Sequence, residues 1–501
     1  MDLDQATAKD LLKTVIDGFE EETIATAEAV TLFLCKECIA SLPKVNLPAN
    51  IMQAVTALAA KDDKLTDEGR LTHIVLPQEE HLQRVLIAGR GAGKACTPNN
   101  LRKAAGIAVR ALAEARVQQA VVVAPLLINP VRAHYLAALG EGLVLGGYQF
   151  NECKGKSEPQ PEVDFTILTN IPDADKVLAA AQVQAEAVCY TRNLVNRPGN
   201  LVTPGVLAEE AEALALEYAL EIEILDVAMM EAMGMNSLLA VGQGSIHQPC
   251  LVTIKYNGAG DAPYMAYVGK GITFDSGGIS IKPSDNMGEM KDDMAGAGAV
   301  LGALRAIAAL KLPCNIMGVI ACAENMPSGS AQRPGDVVKA ANGKTIEVIS
   351  TDAEGRMVLA DAVWYACKQG AAKVVDIATL TGGVIIALGT ETAGIVGSDA
   401  ALIEQIIAAG KKAGEAYWQL PSLPECREAL KSDVADLLNS AGREASCITG
   451  GLFIGEFVDE NIPWAHIDIG GTSTAAKTDG FKVKGATGFG VGTLIKLAQE
   501  L

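Results

Sequence analysis

The chain has 501 residues, 49% hydrophobic and 20% charged, enough for two to four domains with a large buried core, which excludes a disordered chain. A formal net charge of −19 and a pI near 4.8 exclude a nucleic-acid surface built on bulk attraction, since phosphate contacts need clustered Lys and Arg. Eleven scattered cysteines suit a reducing compartment, no apolar run reaches the ~18 residues of a membrane span, and MDLDQATAKD offers no basic stretch before an apolar one, so the expected address is cytoplasmic.

Residues 4–41 carry apolar positions at helical spacing (Leu11, Leu12, Val15, Ile16, Phe19, then Ile24, Ala27, Val30, Phe33, Leu34), which predicts one or two amphipathic helices. Cys35 and Cys38 form a single CxxC inside that run and are expected to pack as small hydrophobes rather than to serve redox chemistry or zinc. From Thr72 onward HIVLP, QRVLIAG, QAVVVAPLL and DFTILT read as strands between helical runs such as 100–115. Gly89 to Lys94 (GRGAGK) is a turn and not a phosphate loop: the first glycine of GxxxxGK would fall on Ala88, and Ala95 stands where Ser or Thr must meet magnesium. Residues 1–170 are therefore expected to form an N-terminal α/β domain.

Ile171-Pro172-Asp173 punctuates the chain, a connecting helix is predicted to about Asn196 within 171–200, and Thr203 is placed to cap a helix running from Pro204 through Tyr218. After Glu221 strands and helices alternate: EIEILD, LVTIKYN, a helix over 294–310, NIMGVIACA, a helix over 356–368, KVVDIATL. The predicted fold class is α/β in two domains, the larger (201–501) an α/β/α domain with a mixed, mostly parallel central sheet.

Two islands carry the chemistry, 267–293 (YVGKGITFDSGGISIKPSDNMGEMKDD) and 349–361 (ISTDAEGRMVLAD). In the first, Gly269-Lys270-Gly271 interrupts an apolar run, so Lys270 and Asp275 are expected where strand gives way to loop. In the second, an extended chain after TIEVIS would point Asp352 and Glu354 the same way, and two such carboxylates repel unless cations lie between them. Asp275, Asp293, Asp352 and Glu354 together supply about four negative charges, the complement of two divalent ions. On spacing alone a solvated acidic turn at Asp352 and Glu354, and an ordinary ion pair between Lys270 and Asp275, fit as well. All five histidines lie outside both islands, which favours oxygen ligands over a histidine zinc site and leaves the metal itself open.

KGITFDSGGISIKP, MKDDM, SGSAQRPGDVV, STDAEGRMVLADA, DIATLTG and GATGFGVGTL resemble the leucyl aminopeptidase (cytosol aminopeptidase, M17) family over roughly Asn193 to the end. The helical opening is a departure, since members more often begin with a strand. The resemblance implies a dinuclear metallo-aminopeptidase with Mn²⁺ or Zn²⁺, in which Lys270, Asp275, Asp293 and Glu354 hold one ion and Asp275, Asp352 and Glu354 the other. It implies Lys282 and Arg356 as the catalytic pair, with bicarbonate held at Arg356. Met290, Thr379, Leu380 and Gly382 match the substrate pocket, although Met290 fits plain core equally well. Lys270 can ligate only as a neutral amine, so its pKa must fall well below ~10.4 beside the ions. A metal-bridging hydroxide is then expected to attack peptides at a Leu- or Met-like N-terminal residue. A homohexamer is expected, and neither membrane nor nucleic acid as partner. Ser350 and Met357 replace the usual Asn and Leu around TDAEGR, and 470–484 (GGTSTAAKTDGFKVK) departs from the family's pocket-closing segment. Two rival readings are a DNA-binding accessory protein on the same fold and a catalytically idle assembly protein.

Overall fold

The computed structural model describes residues 11–16, 21–40, 42–78, 81–91, 97–124, 133–155 and 159–501. It falls into two compact units, one of residues 1–186 and 477–484 and the other of 187–476 and 485–501.

The first unit contains β1 (Leu12–Ile16), α1 (Glu21–Ala25), β2 (Ala29–Leu34), α2 (Lys36–Ile39), α3 (Ala49–Ala59), β3 (Leu71–Pro77), β4 (Leu82–Gly89), α4 (Pro98–Glu114), β5 (Gln119–Val123), α5 (Ala133–Gly146) and β6 (Asp164–Thr169). Its sheet runs β1-β6-β5-β2-β4-β3, parallel throughout except for the β3–β4 pair. The opening is therefore not one or two long helices. Residues 12–16 and 29–34 are strands, so the first element among the described residues is a strand. The physical reason is burial on both faces: along β2, Ala29 and Phe33 enter one core cluster while Val30, Leu32 and Leu34 enter the other. A strand covered on both sides reads as a continuous apolar run, which period alone does not separate from a buried helix. Phe19 and Lys94 lie outside the described residues.

The helix α6 (Ala174–Asn196) contains the boundary between the units. The second unit follows with α7 (Pro204–Tyr218), β7 (Glu221–Leu225), α8 (Val227–Ala232), α9 (Asn236–Gly242), β8 (Cys250–Asn257), β9 (Tyr264–Asp275), α10 (Ala295–Ala309), β10 (Asn315–Asn325), β11 (Val337–Lys339), β12 (Thr345–Glu347) and α11 (Glu354–Lys368). Then come β13 (Ala371–Ala378), α12 (Gly382–Leu388), β14 (Thr392–Gly397), α13 (Ala400–Ala413), β15 (Ala416–Gln419), α14 (Pro424–Glu428), β16 (Leu437–Leu438), α15 (Ser446–Gly455), β17 (Trp464–Asp468), β18 (Thr474–Ala475), β19 (Gly485–Ala486) and α16 (Val491–Ala498). Thr203 caps α7, its side chain accepting from the Val206 amide at 3.4 Å, as the sequence predicts.

The main sheet has the order β15-β14-β17-β13-β9-β10-β8-β7, with β17, β13, β9 and β10 parallel in its middle. Successive residues of β9 alternate faces: Ala266 and Val268 join the core with α9, α11 and α15, while the Tyr267 hydroxyl reaches the Leu494 carbonyl of α16 at 2.9 Å. Lys270 has the parity of Ala266 and Val268, which aims it at α11.

Two local expectations fail. β9 is unbroken from Tyr264 to Asp275, so Lys270 sits within a strand and only Asp275 stands at its end. The glycines beside Lys270 are there for close approach: a Cβ on Gly269 would lie 2.7 Å from the Ala297 Cα, and one on Gly271 2.8 Å from the Ala321 carbonyl oxygen. β12 stops at Glu347, Asp352 lies in a turn and Glu354 opens α11, so the two carboxylates are not set by an extended chain.

Candidate metal centre

The parallel strands deliver polar side chains at one edge. Asp275 ends β9, Asn325 ends β10, Thr379 to Thr381 follow β13, and Asp468 ends β17, so all converge at the C-terminal ends of neighbouring strands, where open α/β sheets place their sites.

Lys270 is 2% exposed, and its ammonium donates to Asp293 Oδ1 at 2.7 Å and to the Thr379 carbonyl at 2.8 Å, with Glu354 Oε1 also at 2.8 Å. The Thr379 hydroxyl donates to the same Asp293 oxygen at 2.8 Å. Asp275 accepts from the Asn325 amide group at 2.8 Å and from the Gly277 backbone at 2.9 Å through Oδ1, while its Oδ2 lies 2.7 Å from Lys282 Nζ. Lys282 Nζ is also 2.6 Å from Asp352 Oδ1, so this ammonium bridges two carboxylates and is not free.

One oxygen each from Asp275, Asp293 and Glu354 lies within 4.8 Å of the others, and all three residues are buried. Asp293 Oδ2 and Glu354 Oε2 are buried with no hydrogen-bond partner. Buried carboxylate oxygens are ordinarily satisfied, so two orphans on members of one carboxylate cluster are what a cation site leaves when only its protein part is counted. The donor set fits divalent ions. Asp352 is joined to the three through Lys282 rather than being one of them.

Electrostatics points the same way. Burial raises the Asp293 carboxyl far above the ordinary carboxylate range, and burial together with the Glu354 charge raises Asp275. Burial also raises Asp352, and pushes Asp292 up to about 6. Burial alone would lower the Lys270 pKa, but the charges of Asp293, Glu354 and Asp275 reverse that and raise it. Raised acids beside a raised base describe one condition: three carboxylates share too little positive charge, and a proton or a cation is favoured among them.

Arg356, two residues into α11, is 6% exposed, donates through Nη1 to the Asn439 carbonyl at 3.0 Å and has a buried Nε without a partner. Its pKa is lowered by burial, with Glu354 and Asp468 opposing. Met290 lies in the 3-10 turn Met287–Asp292 and is half-buried, as are Thr379 and Leu380; Gly382 is exposed, and open space surrounds it.

Sequence reasoning missed three supports. Asp468 accepts from the Leu380 amide at 3.2 Å, the Thr381 amide at 3.4 Å and the Gly470 amide at 3.1 Å through Oδ1, and from the Thr381 hydroxyl at 2.6 Å through Oδ2. Asn439 holds Arg356 and accepts from the Ile349 and Ser350 amides at 2.8 and 3.2 Å. Asn325 ties Asp275 to the Thr351 carbonyl, at 3.0 Å from the latter. For Asp468 the signal available in the sequence is an Asp two residues before Gly470-Gly471 at the end of an apolar run.

Residues 189–495 match the cytosol aminopeptidase family's catalytic domain, and residues 37–157 match its N-terminal domain. Proteins described as "Probable cytosol aminopeptidase" are 43% identical over 428 residues in Alkaliphilus metalliredigens (84% of this chain, 85% of the relative) and 42% over 455 residues in Geobacter sulfurreducens (89% and 91%). Among solved structures, a mutant of tomato leucine aminopeptidase superposes with a TM-score of 0.89 at 30% identity, covering 98% of this chain and 97% of that one. The bottromycin maturation enzyme BotP in complex with Mn gives 0.84 at 33%, covering 95% and 99%.

Proposed function

Because the chain belongs to the cytosol aminopeptidase family it is a metal-dependent aminopeptidase acting on peptides, and we propose that it holds two divalent ions per subunit, Mn²⁺ or Zn²⁺, and releases Leu- or Met-like N-terminal residues. Lys270, Asp275, Asp293 and Glu354 would hold one ion, and Asp275, Asp352 and Glu354 the other. When bound, such ions supply Lewis acidity, polarising the scissile carbonyl and lowering the pKa of water so that hydroxide is available near neutral pH. The observation that carries this reading is the pair of orphaned buried oxygens, Asp293 Oδ2 and Glu354 Oε2, inside a cluster of four carboxylates, counting Asp352, that the ammoniums of Lys270 and Lys282 do not balance.

The chain's own residues then divide the work. Lys270 would ligate only as the neutral amine, whereas the charges of Asp293, Glu354 and Asp275 by themselves favour its ammonium. Lys282, which bridges Asp275 and Asp352 at the edge of the cluster, would donate a hydrogen bond to the oxyanion that develops on the carbonyl. Preorganised donors of this kind are worth roughly 3 kcal/mol of barrier. Arg356 keeps its own proton at neutral pH and is therefore no base; its buried, unpartnered Nε would be available to hold bicarbonate, which would supply a proton carrier. Met290, Thr379, Leu380 and Gly382 would line the pocket for the first side chain or hold the peptide backbone. Assembly as a homohexamer in the cytoplasm belongs to the same reading; among the described residues no helix is long and apolar enough to cross a membrane.

The test is hydrolysis of leucine p-nitroanilide by metal-stripped protein with Mn²⁺ or Zn²⁺ restored. Recovery with at least one ion, at two ions per subunit by metal analysis, is expected. Folded protein that recovers with neither refutes the reading.

A further inference from the structure

The aminopeptidase site makes no use of the CxxC at residues 35–38, and the structure gives that motif a geometry that packing alone does not require. β2 ends at Leu34, Cys35 is extended, and the Cys38 amide turns back to the Cys35 carbonyl at 3.0 Å. The turn sets the two sulfurs 2.8 Å apart, under 1 Å beyond the ~2.05 Å of a covalent S–S bond. Arg90, directly after β4, is buried beside them; its Nη2 donates to Cys38 Sγ at 3.2 Å and approaches Cys35 Sγ at 3.8 Å. Both thiols are at most 1% exposed, within the cluster that includes Leu34, Leu42, Ile51 and Ile87.

Among the described residues the two cysteines belong to no group of three metal-ligating side chains. The arrangement separates two thiols by role: the hydrogen bond with Cys35 and the Arg90 charge bring Cys38 down to about 6, while the hydrogen bond with Cys38 and burial push Cys35 up. The guanidinium, nearer Cys38 than Cys35, favours the thiolate on Cys38, the division of labour of an attacking and a resolving thiol.

We propose that Cys35 and Cys38 form a reversible dithiol/disulfide couple in the N-terminal unit, oxidised by hydrogen peroxide and reduced by a small dithiol. The Cys38 thiolate attacks one peroxide oxygen, the O–O bond breaks, and the departing hydroxide takes a proton to become water, leaving a sulfenic acid. The Cys35 sulfur then attacks Cys38, the S–S bond forms, the S–O bond breaks, and a second water leaves with the Cys35 proton. Two thiols have lost two electrons and peroxide has gained them; the reductant returns two electrons and two protons and is itself left as a disulfide. Peroxide is the matching oxidant because the sulfurs lie beneath α2, a single turn whose Lys36 and Glu37 face solvent. A water-sized molecule needs only that turn to open locally, whereas a bulky disulfide would need α2 displaced.

The test is a hydrogen peroxide titration of the full-length protein, read by peptide mapping. A Cys35–Cys38 disulfide is expected to form while the exposed Cys153 is still reduced, and dithiothreitol reverses it. Cys35→Ser should trap a dimedone-reactive sulfenic acid at Cys38, and Cys38→Ser should leave Cys35 unlabelled. At pH 7 Arg90→Gln should slow disulfide formation by roughly twofold, the loss of thiolate that a one-unit rise from about 6 produces. If Cys153 oxidises first while the CxxC stays reduced, or folded Cys35→Ser takes no dimedone at Cys38, the proposal is overturned. The wild-type map decides alone should the variants fail to fold.

Discussion

Substituting alanine at Gly355 tests how tightly α11 and β9 define the site. A Cβ there would lie 2.6 Å from both Cε and Nζ of Lys270 and 2.8 Å from its Cδ, whereas ordinary carbon contacts begin near 3.5 Å. The lysine must therefore retreat by about 1 Å. It has no slack to do so, because its ammonium is fixed at 2.7 Å to Asp293 and 2.8 Å to the Thr379 carbonyl and to Glu354. Breaking one such buried charged contact costs about 1.5 to 3 kcal/mol, and a 1 Å misplacement in a catalytic constellation costs on the order of 10²-fold in rate. Gly355→Ala should therefore lose about two orders of magnitude in kcat/KM on leucine p-nitroanilide and bind Mn²⁺ more weakly by titration calorimetry. Gly329→Ala, where no atom lies within 4 Å of the added Cβ, should match wild type in both. A Gly355→Ala protein with wild-type metal affinity and turnover would show that Lys270 is not held as described.

Lys282→Ala should cut kcat by about 10² to 10³ while changing KM much less, the signature of a donor used in the transition state; equal losses in binding and turnover would assign it to substrate binding instead. Asp468→Asn places an NH₂ group where four donors now converge, so the loop carrying Thr379 to Gly382 should lose its anchor, with KM rising several-fold and stability falling by about 2 kcal/mol in a urea melt; an unchanged KM would detach Asp468 from the pocket. His466 and Asp376 are fully buried and paired at 2.5 Å; burial alone would lower the His466 pKa, but the Asp376 charge outweighs it and raises it. A raised histidine stabilises the fold fully below its unfolded pKa of ~6.5 and loses that contribution as pH climbs through the folded value. The melting-temperature gap between wild type and His466→Asn should accordingly be widest at pH 6 and narrow toward pH 9; a gap independent of pH would mean that the imidazole stays neutral.

What could be read from the sequence follows the range over which each signal acts. Thr203 with Pro204, and the alternation after Glu221, are local: a cap and a period are written in adjacent residues, and α7 and the central sheet follow them. The N-terminal strands were hidden because β2 is covered on both faces, and a doubly buried strand has no period to read. Lys270 was misplaced for a related reason. Glycine is both a chain breaker and the only residue that lets α10 and β10 press against β9, and nothing in Gly269-Lys270-Gly271 tells the two uses apart.

The candidate ligands were legible because their types and spacing lie within two short islands, but their supports were not. Asn439 meets Arg356 across 83 residues, and Asp468 meets the loop after β13 across 87 or 88. These supports bear on the geometry of the candidate ligands directly. Asp293 carries two hydrogen bonds on one oxygen and none on the other, so Lys270 and Thr379 fix its orientation and leave a single lone-pair face turned inward. Asp468, which holds the amides after Thr379 in register, acts on that carboxylate at one remove. The sheet supplies the rigidity: β17, β13, β9 and β10 are hydrogen-bonded side by side, so a displacement at any one of their ends is resisted by its neighbours. That is why a site assembled from residues nearly 200 positions apart can still be held to the few tenths of an ångström that metal ligation demands.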